Sequence, residues 1–251
     1  MERTKKEVPK VNTAKIAKIA GLLLLIGPLV DLLVSISRPG SFPSDHADGP
    51  QAVMQAGVQS AASNGTFVQL LVDVGFIASF GLLFGFWCVD RFMSSDDGRA
   101  HLRKAGLMIL GIALAVRTAS FAMGLLLATT INFAPAGALD AGTGLDTAVM
   151  FLVMEGSFSV FATILNLAGV ALFATSVMNA GLMGSNNLLT GLLVIVPAVV
   201  GPFLLLLAPF LDNGIFAVFL VGNLVALVQV LWIVVFGAVL IKKSDSLAMA
   251  A

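Results

Sequence analysis

The chain has 251 residues, of which 58% are hydrophobic and 11% charged, against the roughly 45–50% and about 25% of an average soluble domain. That composition excludes a water-soluble fold. Fourteen Lys and Arg balance fourteen Asp and Glu, so there is no basic excess to collect phosphates, and nucleic acid is excluded as a partner.

A helix needs about 20 mainly apolar residues to cross a hydrocarbon core of roughly 30 Å. Six stretches qualify: 19–37, 67–88, 105–128, 157–177, 189–210 and 215–240. The apolar runs are continuous, whereas a transmembrane β-barrel would alternate over about ten residues. The expected fold is therefore all-α, a bundle of six transmembrane helices forming one integral membrane domain over 1–251.

In chain order, a basic segment leads into the first span, which carries Asp31. No small-x-small cleavage site follows closely and Arg38-Pro39 interrupts the region where one would lie, so the span reads as a retained helix. The loop 38–66 opens with a Pro- and Gly-rich stretch. A short helix is expected over 51–63, with Pro50 suiting its first turn and Asn64-Gly65 stopping it, and it would lie across the mouth of the bundle. The second span carries Asp73, a Gly81/Gly85 pair at GxxxG spacing read as packing within the bundle, and Trp87 as an interfacial anchor. Arg117 lies in the third span.

The loop 129–156 is turn-rich over 130–144; residues 145–154 either rest in the interface or lengthen the fourth span, and Glu155 reads as a carboxylate at headgroup level. Asn166 belongs to the fourth span. The fifth reads Val196-Pro197-Ala198-Val199-Val200-Gly201-Pro202 and then Pro209. Proline lacks an amide donor and clashes with the preceding turn, so a kink is expected over Pro197, Gly201 and Pro202, and freed carbonyls there are candidate cation ligands. The sixth span carries Asn223, Gln229 and Trp232.

Orientation follows from the basic residues, which stay cytoplasmic during insertion. Arg3, Lys5, Lys6, Lys10, Lys15 and Lys18 precede the first span; Arg91, Arg99, Arg103 and Lys104 follow the second; Lys242 and Lys243 follow the sixth. The opposite loops hold only Arg38 among acidic residues. Both termini are expected in the cytoplasm of a prokaryote, with the chain in its cytoplasmic membrane.

An Asp or Arg at the centre of an inserting helix costs roughly 2.5–3.5 kcal/mol, so each one asks for a reason. At 1.5 Å per residue from the expected outer ends, Asp31 and Asp73 lie about 9 Å deep, Asn223 about 12 Å, Asn166 about 13 Å and Arg117 about 16 Å. These depths overlap. Spans two and three share a short loop and should be antiparallel neighbours, so Arg117 is expected to pair with Asp73, and with Asp31 as second choice. One cation against two carboxylates leaves a negative surplus, to be neutralised by a proton, a bound cation or water.

No phosphate loop, dinucleotide fingerprint, nucleophile elbow or zincin pattern is present. Cys88 is the one cysteine and no Cys/His cluster has zinc spacing. His46 and His101 fall in loops on opposite sides, and Asp31 and Asp73 lack the Gly-x-Gly-Asp context of an intramembrane protease. Catalysis, a metal and a cofactor are not expected.

The segment Ala17-Lys18-Ile19-Ala20-Gly21-Leu22-Leu23 resembles the Ala-Arg-Ile-Ala-Gly-Leu-Leu opening of a bacterial six-helix membrane family of no established activity. The small-residue run from Asp48 through Ser63 into Phe67 resembles that family's layout too. Lys18 replaces the family's Arg, and Tyr is absent. The resemblance implies the six-helix architecture and no mechanism.

The functional expectation is a small transporter or ligand-binding membrane protein, with Asp31, Asp73, Arg117, Asn166 and Asn223 as its ligand or ion pathway. Its partners would be the lipid bilayer, a small solute or cation, and a second copy or a larger membrane complex. The alternative is a non-catalytic structural or accessory subunit.

Overall fold

The computed structural model describes residues 13–37, 50–93, 100–133, 143–183, 187–207, 210 and 214–250. Among these there is no strand. The helices are α1 (Thr13–Ser37), α2 (Pro50–Ala62), α3 (Gly65–Phe92), α4 (Ala100–Phe133), α5 (Thr143–Asn179), α6 (Asn187–Thr190), α7 (Val196–Leu207) and α8 (Gly214–Ala250), with a π-helical segment Gly191–Ile195 between α6 and α7. Six helical segments are long and apolar enough to span a membrane, the fifth being the composite Asn187–Leu207. The chain is a multi-pass helical membrane protein.

Residues such as Ile77, Met108 and Phe161 are each about two-thirds exposed. Such surfaces would aggregate in water and suit hydrocarbon.

The helices form a circuit: α1 packs on α3, α3 on α4, α4 on α5, α5 on α7 and α8, and α8 returns to α1. The Lys18 Nζ to Asp245 Oδ1 contact of 3.1 Å ties the start of α1 to the end of α8, marking one end of the bundle as the terminal end. At the opposite end Val58 and Ala61 of α2 bury against Val68 of α3, Leu127, Ala128 and Ile131 of α4, and Leu145 and Ala148 of α5.

This small core explains why α4 and α5 run past the expected spans. Hydropathy sees Thr129, Thr130, Asp146 and Thr147 as breaks in the apolar run. Thr129 and Thr130 instead donate their hydroxyls to the carbonyls of Leu125 and Leu126 at 2.8 Å, continuing the helix, and Asp146 sits favourably in the first turn of α5. Residues 145–154 therefore lengthen the fourth span. The short helix after Pro50 forms, but it packs over α3, α4 and α5 and lines neither polar cavity described below.

Lipid gives helices no hydrophobic reason to associate, so close packing and polar contacts must hold them. Small residues supply the approach. A Cβ on Gly237 of α8 would come within 2.7 Å of the Gly21 carbonyl of α1, and one on Gly21 within 2.7 Å of the Gly237 carbonyl. Gly106 of α4 and Gly169 of α5 repeat this backbone contact. Gly85 faces Leu23 and Leu24 of α1, so the Gly81/Gly85 pair packs within the bundle.

The terminal end is closed by a dry core that includes Leu24, Phe86, Leu110, Phe173, Val177, Trp232, Ile233 and Phe236. Phe86 and Phe173 meet edge to face at 4.9 Å. Trp232 stacks on Phe236, and its indole N–H donates to Thr190 Oγ1 at 3.0 Å, satisfying its one polar atom. Below this core Arg103, 1% exposed, donates through Nε to Asp90 Oδ1, joining the last turn of α3 to the first of α4. Nearby, the Arg91 guanidinium lies 4.6 Å over the Trp87 ring.

Candidate functional site

Asp31 follows Pro28 by three residues on α1. Proline cannot donate to the carbonyl one turn back, yet the helix continues, and one turn later Ser35 Oγ donates to the Asp31 carbonyl at 2.9 Å. Across the bundle, Arg117 lies near the middle of the 34-residue α4. Its Nη2 donates to Asp31 Oδ1 at 3.3 Å and its Nη1 to Ser159 Oγ of α5. The guanidinium also lies 5.1 Å from the Phe121 ring centre, which adds cation–π attraction. Three helices thus meet at one side chain.

A polar cavity of about 140 Å³ surrounds this pair. Its polar walls come from Asp31 and Ser35 of α1, Arg117 of α4, Ser159, Thr163 and Asn166 of α5, and Asn223 and Gln229 of α8. Gln229 Nε2 donates to the Asn166 carbonyl at 3.2 Å, and Thr163 Oγ1 to the Ser159 carbonyl at 2.9 Å. The cavity runs from Ser35, two residues from the end of α1, to Ile233 of the dry core. A second cavity of about 40 Å³ shares Asp31, Leu82, Arg117 and Asn166 with the first and reaches Phe86 and Leu110. The ion pair therefore stands between a wider space and a narrower one backed by Phe86 and Leu110 of the core, which plugs the terminal end.

Asp31, Arg117, Asn166 and Asn223 converge. Asp73 does not, and the expected Arg117–Asp73 pair is replaced by Arg117–Asp31. The buried face of α3 is Gly65, Val68, Leu71, Val72, Gly75, Ala78, Gly85, Phe86, Cys88 and Val89. Asp73 falls on the other face, exposed in line with Leu70, Ile77 and Phe80. Small residues mark the packed face of a membrane helix, so the spacing of Gly75, Ala78 and Gly85 already carried this information. With Asp73 outside, the lining of the cavity holds one carboxylate, Asp31, and one cation, Arg117.

Glu155 departs from its expected headgroup position. It is 6% exposed, and a Cβ on Gly124 of α4 would lie 2.6 Å from its Oε1. Ser120 Oγ donates to its carbonyl at 2.9 Å. Glycine at 124 leaves room for the carboxylate between α4 and α5, beside the cavity and one turn from Ser159.

In the fifth span the Val196 N–H reaches back to the Gly191 carbonyl, a five-residue step that widens the turn immediately before Pro197. Gly201 packs against Val225 of α8 and Leu167 of α5, and Pro202 lies inside α7. None of Pro197, Gly201 and Pro202 lines either cavity; Pro209 lies outside the described residues. Compared with known proteins, the chain matches no family model, no curated protein and no solved structure.

Proposed function

We propose that the chain is a small-solute transporter or solute-binding protein of a bacterial cytoplasmic membrane, with both termini cytoplasmic and the cavity opening outward. One observation carries the reading: Arg117 and Asp31 meet inside a cavity of about 140 Å³ whose largely apolar wall is interrupted by the hydroxyls of Ser35, Ser159 and Thr163 and the amides of Asn166, Asn223 and Gln229. The basic residues flanking the terminal end support the orientation.

The test is thermal unfolding of the purified chain in lipid nanodiscs against small solutes and cations. At least one compound should raise the Tm saturably, and Arg117→Gln should abolish that shift in protein that still elutes as one species. A panel without effect, together with co-purification of a stoichiometric membrane partner, overturns the reading. That result would favour an accessory subunit, a role to which Asp73 lends support. A carboxylate among apolar side chains on an outer helix face suits a partner helix bearing a donor.

A further inference from the structure

The charge balance of the cavity bears on what enters it, and the following rests on the solute-site reading. Its two ionisable wall residues are Asp31 and Arg117, one of each sign; the remaining polar walls are neutral hydroxyls and amides. A guest without net charge leaves this balance intact. The pair is also loosely closed. Its single contact of 3.3 Å exceeds the roughly 2.7–2.9 Å of a strong charge-assisted bond, and the other guanidinium arm is turned to Ser159. The side chains keep 34% and 17% of their surface accessible for Asp31 and Arg117 respectively.

A carboxylate offers about four acceptor sites and a guanidinium five donors, so both groups have capacity beyond this contact. We propose that the cavity takes a small zwitterion, its carboxylate on Arg117 and its ammonium on Asp31, inserted between the two. A simple anion satisfies Arg117 but leaves Asp31 without its cation, and a simple cation does the reverse. Each leaves the site with one charge uncompensated. The zwitterion replaces both halves of the original pair. A cavity of about 150 Å³ holds a guest of benzene's size, so the zwitterion is one whose charges are separated by one or two carbons.

The experiment titrates L-alanine, glycine, propionate and ethylammonium against the full chain in nanodiscs at pH 7 and fixed ionic strength, reading Tm. Alanine and glycine should give a saturable rise, with propionate and ethylammonium needing about tenfold higher concentration or more for the same shift. In Asp31→Asn the preference should invert towards propionate, since no carboxylate is left stranded, while Asp73→Asn, outside both cavities, should retain the preference for alanine. Equal effects of alanine and propionate in the unaltered chain, or an Asp31→Asn variant that still prefers alanine, overturn the zwitterion and leave the solute site standing. Stabilisation by an uncharged polyol alone, abolished by Arg117→Gln, does the same. No response to any of these compounds overturns the zwitterion, whereas the solute-site reading falls only with the wider panel and a co-purified partner.

Discussion

Two aspartates at similar expected depth meet opposite fates, and the difference lies in which face of its helix each occupies. Asp31 reaches a guanidinium; Asp73 lies among Leu70, Ile77 and Phe80 on the exposed face of α3. Asp73→Asn should therefore change unfolding free energy by no more than about 0.5 kcal/mol, measured by denaturant titration in micelles. Asp31→Asn removes the carboxylate facing Arg117 and should cost about 1–3 kcal/mol. Equal losses at the two positions would contradict the assignment. Hydropathy and residue type identified the polar groups; depth alone could not choose between carboxylates, because rise along a helix says nothing of rotation about it. Glu155 was hidden for the same reason. Its burial depends on Gly124, a residue of another helix.

At the scale of elements, the bundle rests on backbone contacts that larger residues would break. Gly237→Ala places a methyl within 2.7 Å of the Gly21 carbonyl, and neither backbone can rotate away. A loss of about 1–3 kcal/mol is expected, whereas Gly111→Ala, with open space around its Cβ, should be close to neutral. The Arg103–Asp90 contact makes a stronger demand. Asp90→Ala removes the carboxylate from a guanidinium that is 1% exposed and should cost about 3–5 kcal/mol, seen as a lower Tm and reduced yield. From sequence Arg103 reads as one of several basic residues in a loop. Only its position in the first turns of α4, facing the last turn of α3, turns it into a buried clasp. The lengths of α4 and α5 were likewise obscured, since their extensions are held by α2 rather than by hydrocarbon.

At the scale of the molecule, the six-helix membrane architecture was legible because an apolar run of about 20 residues has few other uses. The circuit of helices was not, because lipid-exposed and buried apolar residues have the same composition. What the circuit creates is an asymmetric interior: polar cavities on one side of a plug built from Phe86, Phe173, Trp232 and Phe236. Whether that interior is wet is the claim on which the functional reading depends. It is tested most directly by labelling single cysteines, in a Cys88→Ala background, with a charged, water-soluble methanethiosulfonate. Thr163 lines the cavity while Phe161, two residues away on α5, faces outward. Thr163→Cys should react and Phe161→Cys should not; an inert Thr163→Cys beside a reactive Phe161→Cys would contradict the account.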